Sequence, residues 1–352
     1  MRTRRFKGKA GIQCDRRCAR RALTLLRLLV ITVAMPLSMG VLASPVALGQ
    51  GGQENEAGDT DWFLMTSHVD EKAGLLLTVS PDGLTWRAVN NDKSVLKPTV
   101  GEVFRDPSIA QDENDTYHLV WTIAWGCGKH KGFGYASSED LIHWSEQRIV
   151  PVMQNEPKTE MVWAPELFWD EENAQWMVHW SSTVTGRFPE TLHLFDGRAN
   201  GRIYYTVTRD FKTFAPSKLL FNPNCLAIDS HLYRGPDTQY YVFFKADRAA
   251  EPKRGIMMAK APAPEGPYVV DPDMITPANE GWAEGPCALR VGDTTRLYYA
   301  PPNSFGAFES QDMQRWTNIC SRVTPPGGYR HGTVIRITPA EAKRLLNHEY
   351  NL

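Results

Sequence analysis

Five short phrases spread along the chain each place a carboxylate or an imidazole beside turn-forming residues where an apolar run begins. They are Asp106-Pro107-Ser108-Ile109, Ala164-Pro165-Glu166-Leu167, Asp229-Ser230-His231-Leu232, Glu284-Gly285-Pro286-Cys287 and His331-Gly332-Thr333-Val334. If the five runs converge, Asp106, Glu166, Asp229, Glu284 and His331 share one register around one channel. Carboxylates confined there repel and raise some of their own pKa values, which supplies a neutral acid beside an ionised base near neutral pH. Glycoside hydrolysis requires that pairing. Taken singly, Asp-Pro and Glu-Gly-Pro are ordinary turns, and an isolated acid before a strand is more often a solvated turn residue. The case for chemistry rests on the recurrence.

The elements that would position these groups come from an internal repeat. The phrase Ser/Thr-x-Asp-x-x-x-aromatic recurs as Ser80 to Trp86, Ser138 to Trp144, Thr208 to Phe214 and Ser310 to Trp316. Its Asp suits a turn that binds nearby backbone N–H groups, and its aromatic suits packing between sheets. An apolar strand precedes each phrase, and another lies one step further back, from Trp62-Phe63-Leu64-Met65 to Arg296-Leu297-Tyr298-Tyr299. A degenerate fifth copy turns through Pro264-Glu265-Gly266-Pro267-Tyr268. With the five phrases above as innermost strands, the expectation is an all-β, five-bladed propeller over 60–352. The first copy lacks an inner strand and the last has little else, so 331–337 should pair with 61–90 and close the ring. Thr338-Pro339-Ala340-Glu341 is a capping box with Pro at the first helical position, predicting one short C-terminal helix. A plain β-sandwich is the alternative, and ordered strand triplets argue against it.

Composition agrees, since 11 Trp, 12 Tyr, 14 Phe, 27 Gly and 24 Pro among 352 residues suit many short strands separated by turns. The formal net charge of -1 conceals an uneven distribution, with ten Lys or Arg against Asp15 alone in 1–50. The remainder holds 29 basic and 39 acidic residues, a balance without the footprint of a nucleic-acid binder. The basic start, the uncharged run over 28–43 and the small-residue exits near Ala43 and Gly49 predict a cleaved export leader over 1–49, followed by a flexible lead-in over 50–59. The apolar run is short for a span of roughly 20 residues, so no membrane span is expected in the mature chain, which would be periplasmic or extracellular. Beyond the leader lie Cys127, Cys225, Cys287 and Cys320, without a Cys-x-x-Cys pair. That disfavours zinc and leaves one or two disulfides open.

Phe104-Arg105-Asp106-Pro107-Ser108-Ile109, Val162-Trp163-Ala164-Pro165-Glu166, Ala227-Ile228-Asp229-Ser230-His231-Leu232, Ala283-Glu284-Gly285-Pro286 and Arg330-His331-Gly332-Thr333 together resemble glycoside hydrolase family 43, the arabinofuranosidase and xylosidase propellers. The resemblance covers about 60–340, with the motifs in family order. It implies an inverting hydrolase in which Asp106 is the general base, Asp229 orients the acid and modulates its pKa, and Glu284 is the general acid. His331 matches a channel histidine that in many relatives lies near a bound calcium or the substrate. No cofactor is required on this reading, and calcium is the one ion it allows.

Two departures matter. Glu166 stands where relatives often carry Asp, leaving it between substrate contact and structural support. Arg105 before Asp106 is also found in the retaining fructan hydrolases of family 32, but their Asn-Asp-Pro-Asn and Glu-Cys phrases are missing. The sugar platforms expected are Trp163 and Trp282, each close before a channel carboxylate, with Trp125 a further candidate; Trp121 and Trp180, inside second strands, suit the core. Arg105 would bind substrate hydroxyls or pair with Asp106 or Glu166. The partner expected is an oligo- or polysaccharide containing arabinose, xylose or galactose. A carbohydrate-binding propeller without catalysis is the rival, and the intact set Asp106, Asp229 and Glu284 speaks against it. Specificity would reside in the loops 126–132 and 183–201.

Overall fold

The computed structural model describes residues 61–126, 130–195, 200–277, 282–301 and 304–350. The leader, the whole lead-in, Cys127 and parts of both specificity loops lie outside the described residues. The chain enters through β1 (Trp62–Ser67), β2 (Leu76–Ser80) and β3 (Arg87–Ala88). Four complete blades follow: β4 (Arg105–Gln111), β5 (Tyr117–Thr122), β6 (Gly132–Ser138) and β7 (Arg148–Pro151); β8 (Trp163–Asp170), β9 (Gln175–Ser182), β10 (Arg202–Thr208) and β11 (Lys218–Phe221); β12 (Leu226–Arg234), β13 (Tyr240–Asp247), β14 (Arg254–Ala261) and β15 (Val269–Met274); β16 (Glu284–Val291), β17 (Thr294–Ala300), β18 (Gly306–Ser310) and β19 (Thr317–Asn318). Then β20 (Val334–Ile337) pairs antiparallel with β1, Trp62 opposite Ile337 and Met65 opposite Val334, and completes the fifth four-stranded sheet as β20-β1-β2-β3. The propeller and its closure are as the repeat predicts.

The repeat phrase works as a turn in all four clear copies. The Asp82, Asp140, Asp210 and Asp312 carboxylates each accept two backbone N–H bonds from the residues two and three further on, at 2.7–2.9 Å. The Ser or Thr hydroxyl two residues earlier donates to the same oxygen. The aromatic that ends each phrase packs into a cluster shared by two neighbouring blades. Trp144 joins Leu119 and Leu64, Phe214 joins Val120 and Val178, Trp316 joins Phe243 and Leu297, and Trp86 joins Tyr298 and Phe63. Apolar burial therefore lies mainly between the blades, which leaves the axis free for polar side chains.

At the end of the chain, α1 (Pro339–Asn347) starts with the expected capping box, Thr338 and Glu341 each bonding the other's backbone N–H, and buries Ala342 and Leu345 against β1. Trp121 and Trp180 are core residues, both fully buried. Cys225, Cys287 and Cys320 are free thiols. No helix among the described residues is long and apolar enough to cross a membrane.

The turn carboxylates make a testable contribution. Two backbone N–H bonds hold Asp210 down at about 2, below its ordinary 3.8. A depressed carboxylate stabilises the fold above its unfolded pKa, and that contribution is lost as pH falls through the folded value. Asp210→Asn should therefore melt below the wild type at pH 7, with the gap closing between pH 4 and pH 2. Thermal melts followed by circular dichroism across that range check this.

Candidate active site

Four inner strands, β4, β8, β12 and β16, carry a bulge near their start, and the bulges set which side chains meet. The residue before the bulge pairs with the neighbouring second strand: Arg105 with Thr122, Trp163 with Ser181, Ile228 with Lys245, Glu284 with Ala300, and Arg330 with His68. The next residue is left-handed at Asp106 (φ 50°), Ala164 (46°), Asp229 (53°) and Gly285 (57°). His331 holds the corresponding place in the closing blade. The common register expected for Asp106, Glu166, Asp229, Glu284 and His331 is thus corrected. Asp106, Asp229 and His331 are equivalent, Glu284 lies one residue earlier, and Glu166 lies two residues later, level with Ser108, His231 and Cys287. The physical reason is that the bulge inserts an unpaired residue, so aligning the strands by residue type slips two of them.

Three of the bulges are locked from the blade before. His68 Nδ1 accepts the Asp106 N–H (3.2 Å), Thr122 Oγ1 accepts the Ala164 N–H (2.7 Å) and Ser181 Oγ accepts the Asp229 N–H (2.9 Å). These second-strand residues escaped the sequence reading. Their signal was a polar residue at or beyond the end of each apolar second strand, at the position opposite the residue that precedes the bulge.

Above the bulges opens a cavity of about 650 Å³, lined among others by Asp106, Asp229, Glu284, Arg105, Lys245, His331, Trp125, Trp163 and Trp282. Asp106 accepts from Thr122 Oγ1 (2.9 Å) and lies 3.3 Å from His331 Nδ1 and 3.9 Å from the Arg105 guanidinium. Burial opposes its charge, but the charge of His331 and a hydrogen bond from it, with Arg105 beyond, hold Asp106 well below the usual carboxylate range. Burial works against the charge of His331 as well, yet Asp106, Asp229 and Glu284 raise it to about 9. His68 is lowered to about 4 by burial and stays neutral, consistent with its role as acceptor. Asp229 behaves oppositely to Asp106. Burial, reinforced by the charges of Glu284 and Asp106 and only partly countered by His331 and Lys245, raises it to about 6.

Glu284 accepts from Lys245 Nζ at 3.1 Å, and the same ammonium lies 3.6 Å from the centre of the Trp282 ring. Across the cavity Arg105 stacks on Trp125 at 4.3 Å, and Trp125 meets Trp163 edge to face. Trp125 is 48% exposed and Trp282 37%, so indole surface remains open to a ligand. Lys245, unnoticed in the sequence, was legible as the one Lys in an otherwise apolar and aromatic run from Tyr240 to Ala246.

The structure does not bring Glu166 to the cavity. It is 2% exposed, accepts from Ser108, and faces His231 Nδ1 at 3.0 Å. His231 Nε2 faces the Ala288 carbonyl and must donate there, so Glu166 and His231 share a proton below the site. Of the two roles left open for Glu166, this placement is the structural one. Nor do the groups around His331 fit a calcium ion. A hard cation needs a cage of six to eight oxygens, whereas His331 is an imidazolium bonded to Asp106, and Arg105, Arg330 and Lys245 line the same cavity. No metal-holding group of three or more His, Cys, Asp or Glu occurs among the described residues.

Three carboxylates in unlike environments, between indole walls on a five-bladed propeller, define the class of propeller glycosidases. The chain belongs to a family described as a probable glycosyl hydrolase domain related to family 43, which matches residues 61–343. It is similar to an alpha-L-arabinofuranosidase of Bifidobacterium longum subsp. longum, 26% identical over 216 residues. That match covers 54% of this chain and 20% of the relative, so the chain spans about a fifth of the length of that protein. Solved structures similar to it include an alpha-L-arabinofuranosidase from Lactobacillus brevis (16% identity, TM-score 0.48, 61% of this chain and 72% of that one). Another is the Bacillus subtilis arabinanase Arb43A (15% identity, TM-score 0.47, 66% of this chain and 80% of that one).

His331 offers a direct check on the electrostatics. Its pKa is raised on folding, so its contribution to stability is complete below its unfolded value near 6.5 and is lost as pH rises toward about 9. Histidine NMR should place its titration near 9 in the wild type and clearly lower in Asp106→Asn, with a shallower decline in stability between pH 6.5 and 9 in the variant.

Proposed function

We propose that the protein is an exported glycoside hydrolase that cleaves arabinose-, xylose- or galactose-containing glycans with inversion at the anomeric carbon. The observation that carries the reading is the convergence of Asp106, Asp229 and Glu284 in one cavity between the indoles of Trp125, Trp163 and Trp282, with Asp106 kept ionised beside His331. Asp106 is the general base: its carboxylate, fixed by Thr122 and His331, accepts a proton from the attacking water. Glu284 is the general acid that protonates the departing oxygen. Asp229, in the same cavity, orients that acid. Trp163 and Trp125 on one wall and Trp282 on the other hold sugar rings, and Arg105, fixed on Trp125, binds hydroxyls. Hydrolysis in this reading needs only carboxylates and water, without a cofactor. The basic leader supports export, and the similarity to an arabinofuranosidase supports an arabinose-containing substrate.

The test begins with a panel of aryl glycosides and polysaccharides, the product anomer being read by NMR immediately after cleavage. The first-formed sugar should carry the inverted configuration. Asp106→Asn should lower kcat/KM by about 10²–10⁴-fold on every substrate. Glu284→Gln should cost a similar factor on natural glycosides but much less on dinitrophenyl glycosides, whose leaving group needs no proton. Retained configuration, or equal loss on both substrate types in Glu284→Gln, would overturn the assignment.

A further inference from the structure

The bulge-locking pattern holds in three blades and is absent in two: Ala300, paired with Glu284, has no side-chain acceptor, and the other position carries a cation. His68, Thr122 and Ser181 each offer an acceptor to the backbone N–H of the left-handed residue of the next blade. The fourth member of this ring, placed by its pairing with Ile228, is Lys245. An ammonium has three donors and no acceptor, so it cannot make that bond to Gly285. It turns instead to the side chain one residue earlier, Glu284, at 3.1 Å. Unlike Ala300, which merely lacks an acceptor, Lys245 brings a charged donor to the neighbouring acid, a choice that bulge locking does not call for. Lys245 is also costly to keep: its side chain is 3% exposed, and a buried ammonium carries a large desolvation penalty unless it is paired.

The ammonium joins two parts of the site. One side bonds the Glu284 carboxylate, and the Trp282 ring centre lies 3.6 Å away, close enough for a desolvated cation to be held by the ring face. Building on the proposed function above, we propose that Lys245 is the positioning residue for Glu284: it orients the carboxyl toward the departing oxygen, stabilises the carboxylate formed when the proton leaves, and fixes the Trp282 platform relative to that acid. Lys245 itself forms and breaks no covalent bond, and the glycosidic C–O bond breaks as the leaving oxygen is protonated. One proton passes from Glu284 to the leaving oxygen, and the fixed charge of Lys245 offsets the new negative charge. A charge-assisted hydrogen bond is roughly twice as strong as a neutral one, so the interaction is stronger after proton transfer than before it and lowers the barrier.

The experiment compares leaving groups. For the sugar that the wild type cleaves, kcat/KM is measured on dinitrophenyl, nitrophenyl and phenyl glycosides with the wild type, Lys245→Met and Lys245→Arg. Loss of the ammonium should make the rate fall more steeply with leaving-group basicity, so that Lys245→Met loses at least about tenfold more on the phenyl than on the dinitrophenyl glycoside. Lys245→Arg should recover most of the wild-type dependence. If Lys245→Met does not fold, Lys245→Gln, which keeps a neutral donor, takes its place and should show a steeper slope in the same direction. A variant that is slower by one common factor on all three glycosides would show a structural role only and overturn the proposal, leaving the functional reading intact. A wild type inactive on the whole panel would overturn the functional reading and this inference with it.

Discussion

The site depends on a hydrogen bond between blades, from the backbone N–H of a left-handed residue to a side-chain acceptor on the preceding second strand. A non-glycine residue in the left-handed region costs roughly 1–2 kcal/mol, and a buried N–H without an acceptor costs about 1–3 kcal/mol. Costs of this size make the bulge and its acceptor mutually dependent. At Asp106 and Asp229 the same bond that holds the backbone also places the carboxyl in the cavity. Gly285 needs no such help for its φ of 57°, and there a Cβ would lie 2.5 Å from the His331 ring, so the glycine keeps that imidazole within reach of Asp106.

Given this scaffold, the protonation pattern follows from neighbours more than from depth. Asp106 and Asp229 are both buried at equivalent backbone positions. Asp106 has a hydroxyl donor and an imidazolium in contact, whereas at Asp229 the charges of Glu284 and Asp106 add to the effect of burial. Two chemically identical side chains thus acquire different readiness to hold a proton.

Much of the fold was legible because its signals are local. Ser/Thr-x-Asp phrases specify a turn through their own hydrogen bonds, and Thr338-Pro339-Ala340-Glu341 specifies a helix start, so five blades and α1 could be read without tertiary information. Asp106, Asp229, Glu284, Arg105, Trp163, Trp282 and His331 were legible as cavity residues for the same reason, each lying beside a turn at a strand start. The register was not legible. Ala164 is left-handed although nothing in Trp163-Ala164-Pro165 announces it, and this displaces Glu166 from the cavity to a partnership with His231. The roles of His68, Thr122, Ser181 and Lys245 depend on which residue of the next blade faces them, a relation that exists only once the ring has formed.

The pairing of β20 with β1 has a further consequence. In a linear array of repeats the end units can fray while the interior stays folded, because each contacts only its neighbours. Here Trp62 and Ile337 are partners in one ladder, so the array has no end unit and each blade packs on two others. Breaking any single interblade seam exposes two apolar faces at once, and the cavity, drawn from all five blades, exists only while every seam is shut. The ring therefore couples the geometry of the cavity to the integrity of the most distant seam.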